Sequence, residues 1–349
     1  MKLLIIRNDN IGDLVCTTPL IHVLREAYPD ACFDLFGNSY NTEILKYDSS
    51  LSRIWSYRKA KHTPGFFKKL QAWIDKGLLL LRLRLRCYDL IIIAVPLFNE
   101  RTMHLAHWIA PKKIYGAMPD RPLKSRLPKN YYPITIDHNE PHLFQVLSYA
   151  QALGIKARVP ESIGLVLTQE EKKLASRQRA IVPGNSEKPL LGLQISSRRP
   201  KQQWPYAQWK ELISSMLPHC RLRLFWSPGG TISAEHHGDD ALAASLVQAF
   251  PTHALLAKPT SSLRELMIGL YGCDCIVGPD GGAMHVAAGL DIPTLTLFGD
   301  VDPSIWNPYS KKSYFIKSPS ETLLDLTPCM VAERTLALLS SLPSPDISY

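Results

Sequence analysis

Residues 275–303 read CIVGPDGGAMHVAAGLDIPTLTLFGDVDP, and this stretch decides the fold. An apolar run ends at Gly278, Asp280-Gly281-Gly282 forms a tight turn, Ala283 to Gly289 is a helix of small residues, and a second apolar run covers Thr294–Phe298. Strand, turn, helix and strand in that order predict a parallel βαβ unit. Two glycines without side chains let a ligand approach the backbone closely. The exposed N–H groups and dipole of the following helix favour an anion such as a diphosphate. His285, one turn into the helix, reaches either the ligand or a carbonyl, and a histidine among small apolar residues is more often structural.

Working outward, residues 192–216, GLQISSRRPKQQWPYAQWKELISSM, repeat the plan of strand, polar loop and helix. Pro205 suits the first helical position, and Trp209, Leu212, Ile213 and Met216 form a buried stripe. Ser196, Ser197, Arg198, Arg199 and Lys201 put hydroxyls and cations in the loop, a set that suits a phosphate-bearing ligand or a solvated basic loop. Residues 3–29, LLIIRNDNIGDLVCTTPLIHVLREAYP, give the same plan at the other end of the chain. In open parallel sheets ligands bind beyond the strands' carboxyl ends, where Gly12 and Asp13 fall. Thr18-Pro19 can start the helix, or the helix begins at Gly12 with Pro19 inside it. Asp13 is then a reactive carboxylate or a helix cap, and Asp9 is a competing carboxylate.

Other strands are expected at Leu3–Ile6, Cys32–Phe36, Leu90–Val95, Leu191–Ile195, Leu222–Trp226 and Ala254–Ala257. The stretch 181–189, IVPGNSEKP, concentrates turn formers and is read as the linker between a domain of residues 1–180 and one of residues 190–328. Residues 329–349 form a closing helix and tail. The chain has 349 residues, which is room for two such domains, and 46% hydrophobic with 20% charged residues is ordinary globular usage. No apolar run approaches the ~20 residues needed to span a bilayer, and the apolar start before Arg7 is too short for a signal-peptide core, so a cytoplasmic location is expected. Seven scattered cysteines fit reduced thiols.

The formal net charge of +9 favours an anionic partner. From Arg53 to Arg86 ten cations, among them Arg58, Lys59, Lys61, Lys68 and Lys69, stand against Asp75 alone. Within this segment Phe66, Leu70, Trp73, Ile74, Leu78, Leu81 and Leu85 recur at helical spacing, predicting a basic amphipathic helix that lies in a membrane interface or packs on the sheet. No nucleic-acid motif accompanies the charge, so nucleic acid is not an expected partner. No Walker A, G-x-G-x-x-G, G-x-S-x-G or H-E-x-x-H pattern occurs. Asp300-Val301-Asp302 mimics a D-x-D metal motif, but a strand-end loop explains it, and no metal ligands are assigned.

Together the three motifs resemble glycosyltransferase family 9, the lipopolysaccharide heptosyltransferases, across nearly the full chain. The resemblance is carried by Ile11-Gly12-Asp13-Leu14 through Thr18-Pro19, by Asp280-Gly281-Gly282 with His285 and Ala287-Ala288, and by Phe298-Gly299 with Asp302-Pro303. It implies a GT-B architecture: an α/β chain of two Rossmann-like domains with parallel sheets facing a cleft, and a C-terminal helix, Val331–Leu339, returning to the first domain. It also implies an inverting transfer from ADP-L-glycero-β-D-manno-heptose, used as substrate rather than cofactor and without a metal, to an anionic lipopolysaccharide precursor at the cytoplasmic face of the inner membrane. Asp13 would be the general base. Gly12, Ser196, Ser197, Lys201, Asp280, Gly281, Gly282, Ala283 and His285 would meet the donor, and Arg58, Lys59, Lys61, Lys68 and Lys69 the acceptor. Two positions depart from the family pattern: Gln202 stands where a lysine is common, and Gly281 where Ser or Thr is usual. Another nucleotide-sugar donor, an epimerase or an inactive sugar-nucleotide binder are the alternatives.

Overall fold

The computed structural model describes residues 1–57, 66–123, 126–156, 158, 161–229, 238–251 and 254–341. The chain divides into two compact units, Met1–Leu165 and Val166–Tyr349. The first runs β1 (Lys2–Ile6), α1 (Ile11–Ala27), β2 (Cys32–Asn38), β3 (Arg53–Tyr57), α2 (Phe66–Leu85), β4 (Leu90–Ile93), α3 (Glu100–Ile109), β5 (Lys113–Ala117), β6 (Tyr131–Ile134) and α4 (His142–Ala152). The second runs α5 (Gln169–Ala180), β7 (Leu190–Gln194), α6 (Tyr206–Met216), β8 (Arg221–Phe225), α7 (Asp240–Gln248) and β9 (Leu256–Ala257). It continues with α8 (Leu263–Tyr271), β10 (Cys275–Pro279), α9 (Gly282–Gly289), β11 (Thr294–Phe298), α10 (Pro303–Trp306), β12 (Ser313–Lys317) and α11 (Pro328–Ser340).

Each unit carries a six-stranded sheet, ordered β3-β2-β1-β4-β5-β6 in the first and β12-β11-β10-β7-β8-β9 in the second. Every strand pair is parallel. Both orders are the doubly wound one, in which the chain reverses direction across the sheet between the first and fourth strands of the unit. That reversal lies between β1 and β4 in the first unit and between β7 and β10 in the second.

The central strands are buried on both faces because helices cover them, so Leu3–Ile6, Leu90–Ile93 and Cys275–Pro279 are continuous apolar runs without alternation. Leu4, Ile6, Phe36, Ile91 and Ile93 form the centre of the first core. Leu193, Trp204, Trp209, Leu224, Val277 and Leu297 form that of the second. In the second core Trp209 stands edge-on to Trp204, with ring centroids 4.8 Å apart. Truncation of Leu4 to alanine at such a site costs about 2–5 kcal/mol.

One expectation is corrected. The unit boundary falls between Leu165 and Val166 rather than at 181–189. Helix α5 belongs with the second unit, where Glu171 pairs with the Arg264 guanidinium and Arg179 holds Asp274 through two bonds of 2.7 and 3.0 Å. The Pro, Gly, Asn and Ser of 181–189 therefore serve a turn between α5 and β7. Helix α1 begins at Ile11 with Asn10 as its cap, and Pro19 lies inside it. Helix α11 contributes Val331, Ala332 and Leu338 to the second unit's core. Of the expected acceptor residues, Arg58, Lys59 and Lys61 lie outside the described residues. Lys68 and Lys69 fall in α2, with side chains likewise outside the description.

Candidate active site

In the first unit the β1–α1 turn carries a closed charged network. Arg7 follows β1 and is 1% exposed, so its guanidinium needs fixed partners. Nε donates to Asp9 Oδ1 and Nη2 to Asp13 Oδ1, each at 2.8 Å, while Nη1 donates to the carbonyl of Ala94 beyond β4. The network thus spans the crevice between β1 and β4. Asp13 sits in the first turn of α1, where its Oδ2 accepts from the backbone N–H of Asn10 at 3.3 Å and from Asn10 Nδ2 at 2.9 Å. His142, first residue of α4, brings Nε2 to 3.2 Å from Asp13 Oδ1 and 3.0 Å from Arg7 Nη2. One ring nitrogen serves these neighbours alternately: protonated it donates to Asp13, unprotonated it accepts from Arg7.

Burial pushes the Asp13 carboxyl up, but the His142 hydrogen bond, the Arg7 charge and the Asn10 hydrogen bond outweigh it and hold the group well below the usual carboxylate range. Asp9 goes the other way. Burial, with the Asp13 charge added, outweighs Arg7 and pushes it up to about 6. Burial also lowers His142, with the Arg7 charge acting in the same sense against the Asp13 hydrogen bond. Asp13 is consequently ionised across the whole working range, while Asp9, whose side chain is 29% exposed against 10% for Asp13, titrates near neutrality.

The second unit builds its crevice from backbone. Gly278 in β10 is required by close approach, since a Cβ there would lie 2.6 Å from the Gln194 carbonyl at the end of β7. Gly281, three residues on, has the opposite setting: the nearest atom to an added Cβ is 3.9 Å away, so space lies open before the turn. Met284 and His285 donate to the Gly281 carbonyl at 3.1 and 3.4 Å. The N–H groups of Gly282 and Ala283, at the start of the helix, have no acceptor in its ladder. Asp280, Gly281, Gly282 and Ala283 are half-buried, and His285 is buried within α9.

The β7–α6 loop flanks this turn in the sheet order. Ser196 Oγ accepts from the N–H of Ser227 at 2.7 Å, tying this loop to the one after β8, and Ser197 Oγ accepts from the Arg199 N–H at 3.3 Å. Lys201 places Nζ 2.5 Å from Glu321 Oε2, a surface pair with side chains 51% and 79% exposed. Gln202, at the family's lysine position, is fully buried. Its Oε1 accepts from the Gly299 N–H and its Nε2 donates to Asp300 Oδ1, both at 2.9 Å. A neutral amide there fixes the loop after β11. Asp302 accepts from Ser304 N and Oγ, each at 2.8 Å, and so caps α10. Among the described residues no group of three or more His, Cys, Asp or Glu stands together as a metal site.

Sequence reading put Gly12 and Asp13 beyond the carboxyl end of the first strand and read Asp280–Ala283 as a turn opening a helix; the structure adds that both turns lie at the reversal points of their sheets. It missed Arg7 and His142 as partners of Asp13. Arg7 carried a signal, a cation directly after a buried strand. His142 lies 129 residues beyond Asp13 and carried none.

Comparison with known proteins bears on the family and the fold. The model of glycosyltransferase family 9 (heptosyltransferase) matches residues 105–332. The chain is 26% identical to lipopolysaccharide heptosyltransferase 1 of Pseudomonas aeruginosa, over 91% of this chain and 84% of that protein. It is 24% identical to lipopolysaccharide heptosyltransferase 1 of Escherichia coli K12, over 97% and 100%. In structure it is similar to E. coli heptosyltransferase WaaC with ADP, with a TM-score of 0.76, 19% identity and coverage of 97% of this chain and 100% of that one. A family 9 glycosyl transferase from Veillonella parvula gives a TM-score of 0.80 at 17% identity, covering 98% of each chain. With its two Rossmann-like units and these motifs at their reversal points, the chain has the GT-B fold and belongs to glycosyltransferase family 9.

Proposed function

We propose that the chain transfers a heptose, with inversion, from ADP-L-glycero-β-D-manno-heptose to the inner core of an anionic lipopolysaccharide precursor. The observation that carries this reading is the Asp13 carboxylate, kept ionised by Arg7, His142 and Asn10 at the reversal point of the first sheet. Relatives named as lipopolysaccharide heptosyltransferases 1 and 2, and a related structure solved with ADP, support the donor and acceptor class.

In the proposed step the acceptor hydroxyl attacks the anomeric carbon, its proton passes to Asp13, and the bond from that carbon to the diphosphate breaks with its electron pair going to the leaving oxygen. The first unit supplies the base. The second supplies the amides of Gly282 and Ala283 and the α9 dipole, which stabilise the charge gathering on the diphosphate. Asp280, Gly281, His285, Ser196 and Ser197 complete the donor side, with Gly12 beside Asp13 in the first turn of α1. Lys201 reaches the phosphates only by leaving Glu321.

A second reading makes Asp9 the base, favoured by its greater exposure and its higher proton affinity. The two carboxylates give opposite acid limbs. With Asp13 as base, kcat/KM shows no loss from base protonation between pH 7 and pH 5; with Asp9 it falls as the pH drops through about 6. Donor and acceptor are tested together by mass spectrometry of lipopolysaccharide from cells with and without the protein. Loss of one heptose on deletion supports the reading, and an unchanged glycan overturns it. A donor panel run without acceptor exposes an epimerase, which alters the sugar by itself.

A further inference from the structure

The central strands of the second sheet differ on their two faces. Leu191, Leu193, Val277, Leu295 and Leu297 belong to the large apolar core. The alternate positions fall on the opposite face: Gly192 and Gln194 in β7, Ile276 and Gly278 in β10, Thr294 and Thr296 in β11. Register sets three of these in one row. Thr296 is opposite Gly278, and Gln194, one residue past the Leu193–Val277 pair, stands at the other side of Gly278. Gly278 puts no side chain into the row and Gln194 takes the room, since a Cβ at 278 would lie 2.8 Å from Gln194 Cβ and 3.2 Å from its Cγ. The row lies at the reversal point: Gln194 is the last residue of β7, and Gly278 comes two residues before Asp280.

The chain does not satisfy the polar atoms of this row. Gln194 is 8% exposed and Thr296 0%, yet neither Gln194 Oε1 nor Thr296 Oγ1 has a hydrogen-bond partner among the described residues. Gln202, equally buried eight residues on, has both amide atoms paired. Burying an amide oxygen unpaired costs stability, and methionine fills much the same volume without that cost. A glutamine held there is therefore explained by a partner that arrives with a ligand. At neutral pH a diphosphate brings acceptors alone, whereas a sugar hydroxyl donates as well as accepts, so the hydroxyl is the group that fits.

We infer that Gln194 is a donor-binding residue whose side-chain amide takes a sugar hydroxyl of the nucleotide sugar, on the ribose or on the transferred heptose. The inference rests on the reading of the second unit as the donor side, and adds to it a contact that selects for the sugar rather than for the phosphates. A buried amide left unpaired by a ligand lacking the hydroxyl discriminates against that ligand more strongly than an apolar wall does. Thr296 keeps the far side of the row polar.

The test is calorimetry of ADP and of ADP-L-glycero-β-D-manno-heptose, without acceptor, on the full chain and on Gln194→Met, which keeps the volume and removes both polar amide atoms. A loss of at least about fivefold in affinity is expected. A loss confined to ADP-heptose assigns the hydroxyl to the heptose, and an equal loss with ADP assigns it to the ribose. Thermal unfolding of the ligand-free proteins is the second readout. With the unpaired oxygen gone, the Tm of Gln194→Met equals or exceeds that of the wild type, whereas a glutamine that only supports the fold would lower it on removal. A variant that binds both nucleotides as the wild type does overturns the inference, and so does weakened binding accompanied by a lower Tm, which makes Gln194 a structural residue. A wild-type chain that binds neither nucleotide overturns the donor reading itself; one that binds both while the variant loses nothing overturns this inference alone.

Discussion

The two reversal points are built on the same strand order and filled in opposite ways. At β1/β4 the crevice holds one guanidinium, two carboxylates and an imidazole, each satisfied by another. At β7/β10 the chain offers glycines, main-chain amides and an open space before Gly281. A group that must take one proton from a defined direction needs its charge state and rotamer fixed beforehand, which side chains do for each other. A group that must receive a multiply charged ligand needs donors that carry no side chain in the way, which a helix start does. The fold supplies the location in both cases, and the residue types decide between a closed charged network and an open backbone turn.

The strongest test of this contrast is Asp13→Asn. It keeps the shape and the Arg7 contact but removes the proton acceptor, so kcat should fall about 10²–10⁴-fold while the donor dissociation constant stays within about threefold. An Asp9→Asn enzyme that loses as much, with an Asp13→Asn enzyme that does not, would hand the role to Asp9. Next in size is Gly281→Asp. Because a Cβ fits there, the fold persists, but a carboxylate now faces the incoming phosphates, and ADP binding by calorimetry should weaken at least about tenfold. Undiminished binding would move the diphosphate away from α9. His142→Ala should cost about tenfold in kcat with donor affinity unchanged. It should also raise the Asp13 carboxyl, so that the rate starts to fall at a higher pH than in the wild type as acid is added. An identical pH profile would reduce His142 to packing. The smallest effect belongs to Lys201→Ala: an exposed pair with Glu321 is worth little, and donor affinity should change less than about threefold. A tenfold loss would show that Lys201 abandons Glu321 for the phosphates.

The fold was legible wherever burial makes a strand uniformly apolar. The runs at β1, β4 and β10 can be read directly because helices cover both of their faces, and β2, β7, β8 and β11 keep enough apolar positions to be read although Asp34, Gln194, Arg221, Arg223, Thr294 and Thr296 are buried in them. Strands β3 and β12 mix charged or polar residues with aromatic ones, RIWSY and SYFIK, and β6, YYPI, carries a proline, and all three have exposed positions, so little in their composition separates them from loops. The site was half legible for the same kind of reason. Asp13 and the Asp280–Ala283 turn sit within local strand–turn–helix patterns, whereas the His142 contact exists only because α4 packs against α1. The helix start went to Ile11 rather than Thr18 because Asn10 and Asp13 satisfy the first-turn amides together, a local bond that outweighs the interior proline.

The division at Leu165/Val166 has a practical side for anyone who recombines relatives of this enzyme. A crossover placed in the glycine- and proline-rich stretch 181–189 would separate α5 from the helix and strand that anchor it, splitting the Glu171–Arg264 and Arg179–Asp274 pairs between parents. Joining the parents some fifteen residues earlier leaves those pairs whole, so hybrids that exchange the second unit are best cut there.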